Sequence, residues 1–202
     1  MGLIEDAVAA IKRGQLVVIP TDTVYGLVSS PYREEPTLRI QRLKGRAAAQ
    51  PLALLASDID LLLECVPELR GRAGIIARTL LPGPYTLVLC NPAQRFRWLN
   101  GGNPLAIGVR VPELAGVAQT ILARVGALVS TSANLHGGPA PLTLAAVPEE
   151  IRAACGAVVD GGTLPGTPST VIDFSGLQPR VIREGAAPSA EAIARVAAAL
   201  AG

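Results

Sequence analysis

Lys44-Gly45-Arg46, followed after three alanines by Gln50-Pro51-Leu52, sets two cations either side of a glycine just ahead of an apolar run. Glycine lets the backbone approach a ligand closely, and a lysine beside a forked guanidinium is a sound clamp for phosphate oxygens. Neither G-x-x-x-x-G-K-[ST] nor G-x-G-x-x-G occurs, so a nucleotide bound here is held by side chains and strand-end amides. Small hydroxyls form the second set of candidates. Leu16-Val-Val-Ile-Pro20 runs into Thr21-Asp-Thr-Val-Tyr-Gly-Leu27, Ala127-Leu-Val129 runs into Ser130-Thr-Ser-Ala-Asn134, and Pro168-Ser-Thr170 opens a further apolar run. Arg110 and Arg183 stand inside or at the end of others. Ser, Thr and Asn at such places also cap helices and shape turns. Their repetition at strand ends, where an open α/β sheet gathers its ligands, points to one cleft.

Other chemistries have weaker support. Ser132 and His136 are four apart, but there is no G-x-S-x-G elbow and no acid in a defined orienting place. His136, the one histidine, precedes Gly137-Gly138 and reads as a loop residue. Cys65, Cys90 and Cys155 are odd in number, far apart and without a C-x-x-C pair, which argues against a disulfide framework and a thiolate zinc site. No dedicated metal site is visible. Glu34-Glu35 and Glu149-Glu150 read as solvated charge, and Gly161-Gly162 with Gly166 as a flexible loop, conceivably a lid.

The elements that must position these residues follow from periodicity. At 202 residues the chain is sized for one domain, 1–202, by the rule of roughly 150 residues per domain. Half of it is hydrophobic and 17% charged, which excludes disorder, and the apolar runs are too broken for a membrane span. Nothing at the N-terminus marks it for export, so the expected location is cytoplasmic. Short β-branched runs predict strands at 16–20, 52–55, 86–90, 105–111, 127–130, 157–159, 170–174 and 181–183. Helical spacing links Ile4, Ala7, Val8 and Ile11; Leu61, Leu62, Cys65 and Leu69; and Leu114, Val117, Ala118, Ile121, Leu122 and Val125. Ser189 reads as the N-cap of a closing helix over 190–201. This alternation is that of an α/β layer fold.

In combination these segments resemble the YrdC-like family of threonylcarbamoyl-AMP synthases. The elements that carry the resemblance are Pro20-Thr-Asp-Thr-Val-Tyr-Gly-Leu27, Lys44-Gly-Arg46 with Pro51-Leu52, Pro82-Gly-Pro-Tyr-Thr86, Gly108-Val-Arg-Val-Pro112, Ser130-Thr-Ser-Ala-Asn134 with Gly137, Pro168-Ser-Thr-Val-Ile-Asp173 and Arg183-Glu-Gly-Ala186. Seven segments in the family's order cover nearly the whole chain. The resemblance implies a twisted open mixed β-sheet flanked by helices, with a deep positively charged cleft. It implies L-threonine, bicarbonate and ATP as substrates, with Mg2+ accompanying the ATP, and threonylcarbamoyl-AMP and pyrophosphate as products, feeding threonylcarbamoyladenosine in tRNA. Residue by residue, Lys44, Arg46, Ser132 and Asn134 match the diagnostic K-x-R and S-x-N set. Arg46, Gln50, Ser132, Asn134 and Arg183 match ATP positions, with Lys44 beside them to neutralise charge developing at the α-phosphate or carbamate. Thr23, Arg110, Ser130 and Ser169 match threonine positions, Arg110 being suited to the carboxylate. The family's variation between aspartate and glutamate after the first threonine makes Asp22 a turn-shaping residue. Tyr25 either lines the pocket or packs beneath its loop.

The chain departs from the family pattern at Ala47, where proline is common, and at Leu55, where histidine is frequent. It ends at Gly202 and so resembles the short form without the extra C-terminal domain. Contact with the tRNA threonylcarbamoyl-transferase complex is implied by the pathway alone. Two other readings stand beside the synthase. One is a double-stranded RNA or tRNA binder using the run Arg39, Arg42, Lys44 and Arg46, disfavoured by an aromatic content of 3%. The other is a same-fold paralogue acting on another carbamoyl or nucleotidyl substrate.

Overall fold

Val17, Val18 and Ile19 are all fully buried, and an unbroken apolar strand of this kind needs cover on both faces of its sheet. A computed structural model, which describes residues 2–45 and 50–202, shows how far that cover extends. The chain runs α1 (Leu3–Lys12), β1 (Val17–Ile19), β2 (Gly26–Ser29), α2 (Glu34–Leu43), β3 (Ala53–Ala56), α3 (Ile59–Cys65), α4 (Gly71–Leu80), β4 (Tyr85–Cys90), β5 (Ala106–Arg110), α5 (Gly116–Val125), β6 (Ala127–Ser132), α6 (Glu149–Ala153), β7 (Ala157–Val158), β8 (Thr170–Asp173), β9 (Arg180–Arg183) and α7 (Ser189–Ala201). The strands form one nine-stranded sheet in the order β7-β1-β2-β6-β3-β5-β4-β8-β9. It is mixed: β1–β7, β3–β5 and β4–β8 are parallel and the other neighbours antiparallel. The fold is the expected α/β arrangement, an open twisted sheet flanked by helices.

Its two faces are covered unequally. Leu54, Leu87, Val109, Val129 and Ile172 pack with Ile40 of α2, Leu62 of α3, Ile76 and Leu80 of α4, Ile151 of α6 and Val196 of α7. On the opposite face Val17, Ile19, Val28, Leu55 and Leu128 pack with Ala7, Val8 and Ile11 of α1 and Ile121 and Leu122 of α5. An ion pair of 2.9 Å between Glu5 and Arg124 joins those two helices. Among the described residues no helix covers the second face over β5, β4, β8 and β9, and there the strands alternate: Leu87, Leu89 and Ile172 are buried while Val88, Val171 and Asp173 are half-buried.

Several elements differ from expectation. β2 falls where no strand was expected, and Thr-Val-Tyr-Gly-Leu has no clean alternation; its four residues are all buried as it pairs with β1 and β6. The helical period through Leu69 breaks at α3's end, Cys65. Ser189 is the first residue of α7 rather than its cap, since its hydroxyl donates to the Glu184 carboxylate, which also accepts from the Ser189 amide at 3.3 Å. No helix among the described residues is long and apolar enough to cross a membrane.

Unequal cover makes a mechanical prediction. Leu87→Ala is expected to cost about 3 kcal/mol, as for a buried leucine, and Val88→Ala, one residue along on the open face, less than about 1 kcal/mol. Denaturant unfolding of the two variants checks this, and equal losses would show that the second face is packed after all.

Candidate functional site

The uncovered half of the sheet floors a cavity of about 570 Å³, and three hydrogen-bonded groups of side chains close around it. The first stands on the connection between β1 and β2. Thr21 Oγ1 donates to the Val24 carbonyl at 2.7 Å and accepts the Thr23 and Val24 amides at 3.2 Å each, which folds the segment into a tight turn. Arg110, at the end of β5, donates from Nη2 to Thr23 Oγ1 at 3.1 Å and to the Asp22 carboxylate. The two partners of this ion pair keep only 9% and 11% of their side-chain surface exposed. Asp22 therefore does more than shape its turn. It is the counter-ion of the arginine expected to meet a substrate carboxylate.

The second group lies at the end of β6, the strand flanked antiparallel by β2 and β3. Alternation turns Ser130 and Ser132 toward the cavity while Val129 enters the core. Ser132 Oγ donates to Asn134 Oδ1, and Asn134 Nδ2 to the Gly138 carbonyl at 2.6 Å. Lys44, at the C-terminus of α2, is 2% exposed. Its ammonium donates to the Ser132 carbonyl, to the Asn134 carbonyl at 2.6 Å and to Asn134 Oδ1 at 3.1 Å. Lys44 is thus placed behind the Ser132–Asn134 turn and is not a wall of the cavity.

The third group joins β4, β8 and β9. Arg183 donates from Nε and Nη2 to the Ser169 carbonyl at 3.1 and 2.7 Å, and from Nη2 to Ser169 Oγ at 3.2 Å. Ser169 Oγ in turn meets Thr86 Oγ1 at 2.8 Å. Beside them burial pushes the Asp173 carboxyl up, but hydrogen bonds from Ser175 and Arg180 outweigh it and leave the group below the usual carboxylate range. The cavity therefore carries both signs of charge, its lining including Arg110, Arg180, Arg183 and Asp173, of which Arg180 pairs with Asp173 at 3.1 Å.

Of the residues expected at the site, Thr23, Arg110, Ser130, Ser132, Asn134, Ser169 and Arg183 line this one cavity. Gln50 is half-buried, with its Oε1 enclosed and unpartnered among the described residues; it adjoins the lining residue Pro51 but is not itself part of the lining. Arg46 and Ala47 lie outside the described residues. Leu55 pairs in register with Arg110 and contributes apolar surface to the cavity floor. Asp22, Thr86, Asn100, Asn103 and Arg180 were not anticipated as site residues. Gly108 carried a readable signal, since a glycine inside a strand often marks a place where something else approaches.

Tyr25 packs beneath a loop and does not line the pocket. It is fully buried, with its hydroxyl 2.9 Å from Asp160 Oδ1, 2.8 Å from the Gly162 carbonyl and 2.9 Å from the Gly161 amide that donates to it. The Gly166 amide donates to the Thr23 carbonyl at 2.8 Å, so the 160–166 segment is tied down at both ends. The basic run is split as well: Arg39 pairs with Glu35 at 2.7 Å and Lys44 is buried, so Arg39, Arg42 and Lys44 form no continuous exposed stripe among the described residues. Burial pushes the Cys155 thiol up to about 12 and raises that of Cys65, so neither is a thiolate at neutral pH. Among the described residues no three His, Cys, Asp or Glu side chains gather into a metal-binding group.

A family model for Sua5, YciO and YrdC proteins, described as telomere recombination, matches residues 9–185. A protein of Pyrococcus abyssi named threonylcarbamoyl-AMP synthase is 33% identical over 186 residues, 92% of this chain and 54% of that protein. This chain thus spans about half the length of that relative. A threonylcarbamoyl-AMP synthase of Xanthomonas euvesicatoria pv. vesicatoria is 34% identical over 79% of this chain and 86% of its own length. Among solved structures, Pyrococcus abyssi Sua5 complexed with L-threonine superposes with a TM-score of 0.85 at 33% identity, covering 96% of this chain and 56% of that one.

The loop that presents Ser169 has a sensitive neighbour. A Cβ on Gly185 would stand 2.2 Å from the Pro168 carbonyl oxygen and 2.5 Å from the Ser169 carbonyl carbon, backbone atoms that cannot step aside. Gly185→Ala is expected to cost about 2 kcal/mol or more, whereas Gly102→Ala, with nothing within 4 Å, is expected to stay within about 0.5 kcal/mol. Thermal melts of both variants test the contrast.

Proposed function

Because the chain belongs to the Sua5/YciO/YrdC family, we propose that it is an L-threonylcarbamoyladenylate synthase, a nucleotidyltransferase that condenses L-threonine, bicarbonate and ATP to threonylcarbamoyl-AMP and pyrophosphate. Residues 1–202 act as one domain, in the cytoplasm, and the product serves the tRNA threonylcarbamoyl-transferase complex. The observation that carries this reading is the convergence of Thr23, Arg110, Ser130, Ser132, Asn134, Ser169 and Arg183 on one cavity. The hydroxyl-rich arginine site at one end suits an amino acid with a side-chain hydroxyl, and the guanidinium and amide groups at the other suit phosphates.

In this reading Arg110 takes the threonine carboxylate, and Thr23, Ser130 and Ser169 take its amine and hydroxyl. The neutral amine attacks the carbon of bicarbonate with loss of water, or of carbon dioxide with loss of a proton to solvent, and in either case gives a carbamate. A carbamate oxygen then attacks the α-phosphorus of ATP, which enters with Mg2+, and the bond to the departing pyrophosphate breaks. Such a displacement asks for alignment and for neutralised oxygens rather than for a covalent nucleophile. Arg183 and Arg46 carry the phosphate charge, with Gln50, Ser132 and Asn134 holding the nucleotide. Lys44 keeps the Ser132–Asn134 turn in shape, and to neutralise charge at the α-phosphate or carbamate its ammonium must leave oxygens of Ser132 and Asn134 that now hold it. No aromatic ring lines the cavity among the described residues, so the purine rests on aliphatic surface such as Val88, Val171 and Ile182.

Pyrophosphate release from ATP by the purified protein, with bicarbonate and magnesium, tests the proposal. Release is expected to require L-threonine, to fall strongly when L-serine replaces it, and to drop at least about 100-fold in Arg46→Ala, the scale of losing one preorganised charge. Release independent of threonine from folded protein would refute the synthase assignment.

A further inference from the structure

Arg110 is already occupied in the way a substrate carboxylate would occupy it. Both N–H groups of Nη2 are spent, one on the Asp22 carboxylate and one on Thr23 Oγ1 at 3.1 Å. Nε is enclosed and unpartnered among the described residues, which leaves Nη1 as the nitrogen open to a ligand. A guanidinium grips a carboxylate with two hydrogen bonds in two ways, through Nη1 with Nη2 or through Nε with Nη2. Both use Nη2. A carboxylate entering the cavity can therefore be held by both its oxygens only if Nη2 lets go of Asp22 or Thr23. Asp22 is the partner that yields: two carboxylates on one guanidinium repel each other at short range, whereas a neutral hydroxyl can stay.

The backbone under Asp22 does not need to move for this. Thr21 pins the turn internally, and the Gly166 amide holds the Thr23 carbonyl at 2.8 Å, the Tyr25 amide the Pro141 carbonyl at 3.0 Å and the Ala133 amide the Tyr25 carbonyl at 2.8 Å. With the turn fixed, the exchange is a rotation of the Asp22 side chain.

We propose that Asp22 is a tethered competitor for the amino-acid carboxylate, a positioning residue that holds Arg110 in the empty site and sets the affinity at which threonine displaces it. The inference rests on the reading that Arg110 binds the threonine carboxylate. It makes occupancy selective. A ligand must bring enough contacts to the surrounding hydroxyls to offset the lost ion pair, which a carboxylate alone does not.

The test is calorimetric titration of the full chain, in the presence of Mg-ATP, with L-threonine and with L-threoninol, in which a hydroxymethyl group replaces the carboxylate. Asp22→Asn keeps the shape and an acceptor for Arg110 but removes the charge, and Asp22→Ser is the second variant should the first fail to fold. Both are expected to bind L-threonine about tenfold more tightly than the wild type, the scale of removing one competing contact at a part-buried charge, with no tightening for L-threoninol. In turnover, KM for threonine falls while kcat does not rise. Unchanged or weakened threonine binding in folded variants, beside normal binding by the wild type, would overturn the inference alone, and would make Asp22 a direct partner of the substrate amine or a purely structural ion. Equal tightening for L-threoninol would also overturn it. If neither wild type nor variants bind threonine, the functional reading falls and the inference falls with it.

Discussion

Among the described residues two helices, α1 and α5, serve one face of a sheet whose other face carries five, and the site exists because of that shortfall. An uncovered sheet half cannot be built from the alternating large aliphatics that fill the opposite face. Small, polar and charged residues that satisfy one another stand there beside a few half-buried aliphatics such as Val88 and Val171. Gly108, Ser130, Ser132, Thr86, Asp173 and Arg110 are such residues, and the strands that carry them keep Val109, Val129, Leu87 and Ile172 pointing the other way. The period of two along each strand therefore writes core and site into the same few residues. A one-residue slip in β4, β5, β6 or β8 would exchange the two faces.

The open face also sets the electrostatics. Charges lying on a low-dielectric sheet and half out of water are costly unless paired. Arg110 has Asp22, Asp173 has Arg180 and the Ser175 hydroxyl, and Arg183 has the Ser169 carbonyl. Pairing of this sort makes the empty cavity stable, and it means that a charged ligand binds by exchanging partners rather than by filling vacancies. The resemblance implied a positively charged hollow. The described lining sets Arg110, Arg180 and Arg183 against Asp173, with each arginine engaged by an oxygen acceptor.

How much of this could be read beforehand depended on the range of the interaction. Strands β1 and β3 to β9 and helices α1, α5 and α7 were legible because each is specified by its own local period. β2 was not, since its burial comes from lying between β1 and β6 and not from alternation within Gly26–Ser29. The motif segments located seven of the cavity-lining residues, as chemistry tends to cluster where strands end. Asp22 and Arg110 are 88 residues apart, and nothing in the local pattern around either announces the other. Lys44 shows the opposite limit: its type announced charge chemistry, while its burial, set by where α2 ends against the β6 turn, gives it a scaffolding contact.

Tyr25 completes this connection between scaffold and site. Its ring is part of the core, while its hydroxyl binds the 160–162 segment and its backbone binds Ala133 and Pro141. One residue thus ties the turn bearing Thr21, Asp22 and Thr23 to the turn after β6 and to the loop that leads to Ser169. Burial and its neighbours raise its phenol above the ordinary range, so the hydroxyl keeps its proton throughout the neutral range and always has one to donate. The three groups around the cavity are consequently registered to one another through a single anchored residue, its side chain and its backbone both taking part. Movement inside the site is left to side chains such as Asp22, while the backbone that carries them stays fixed.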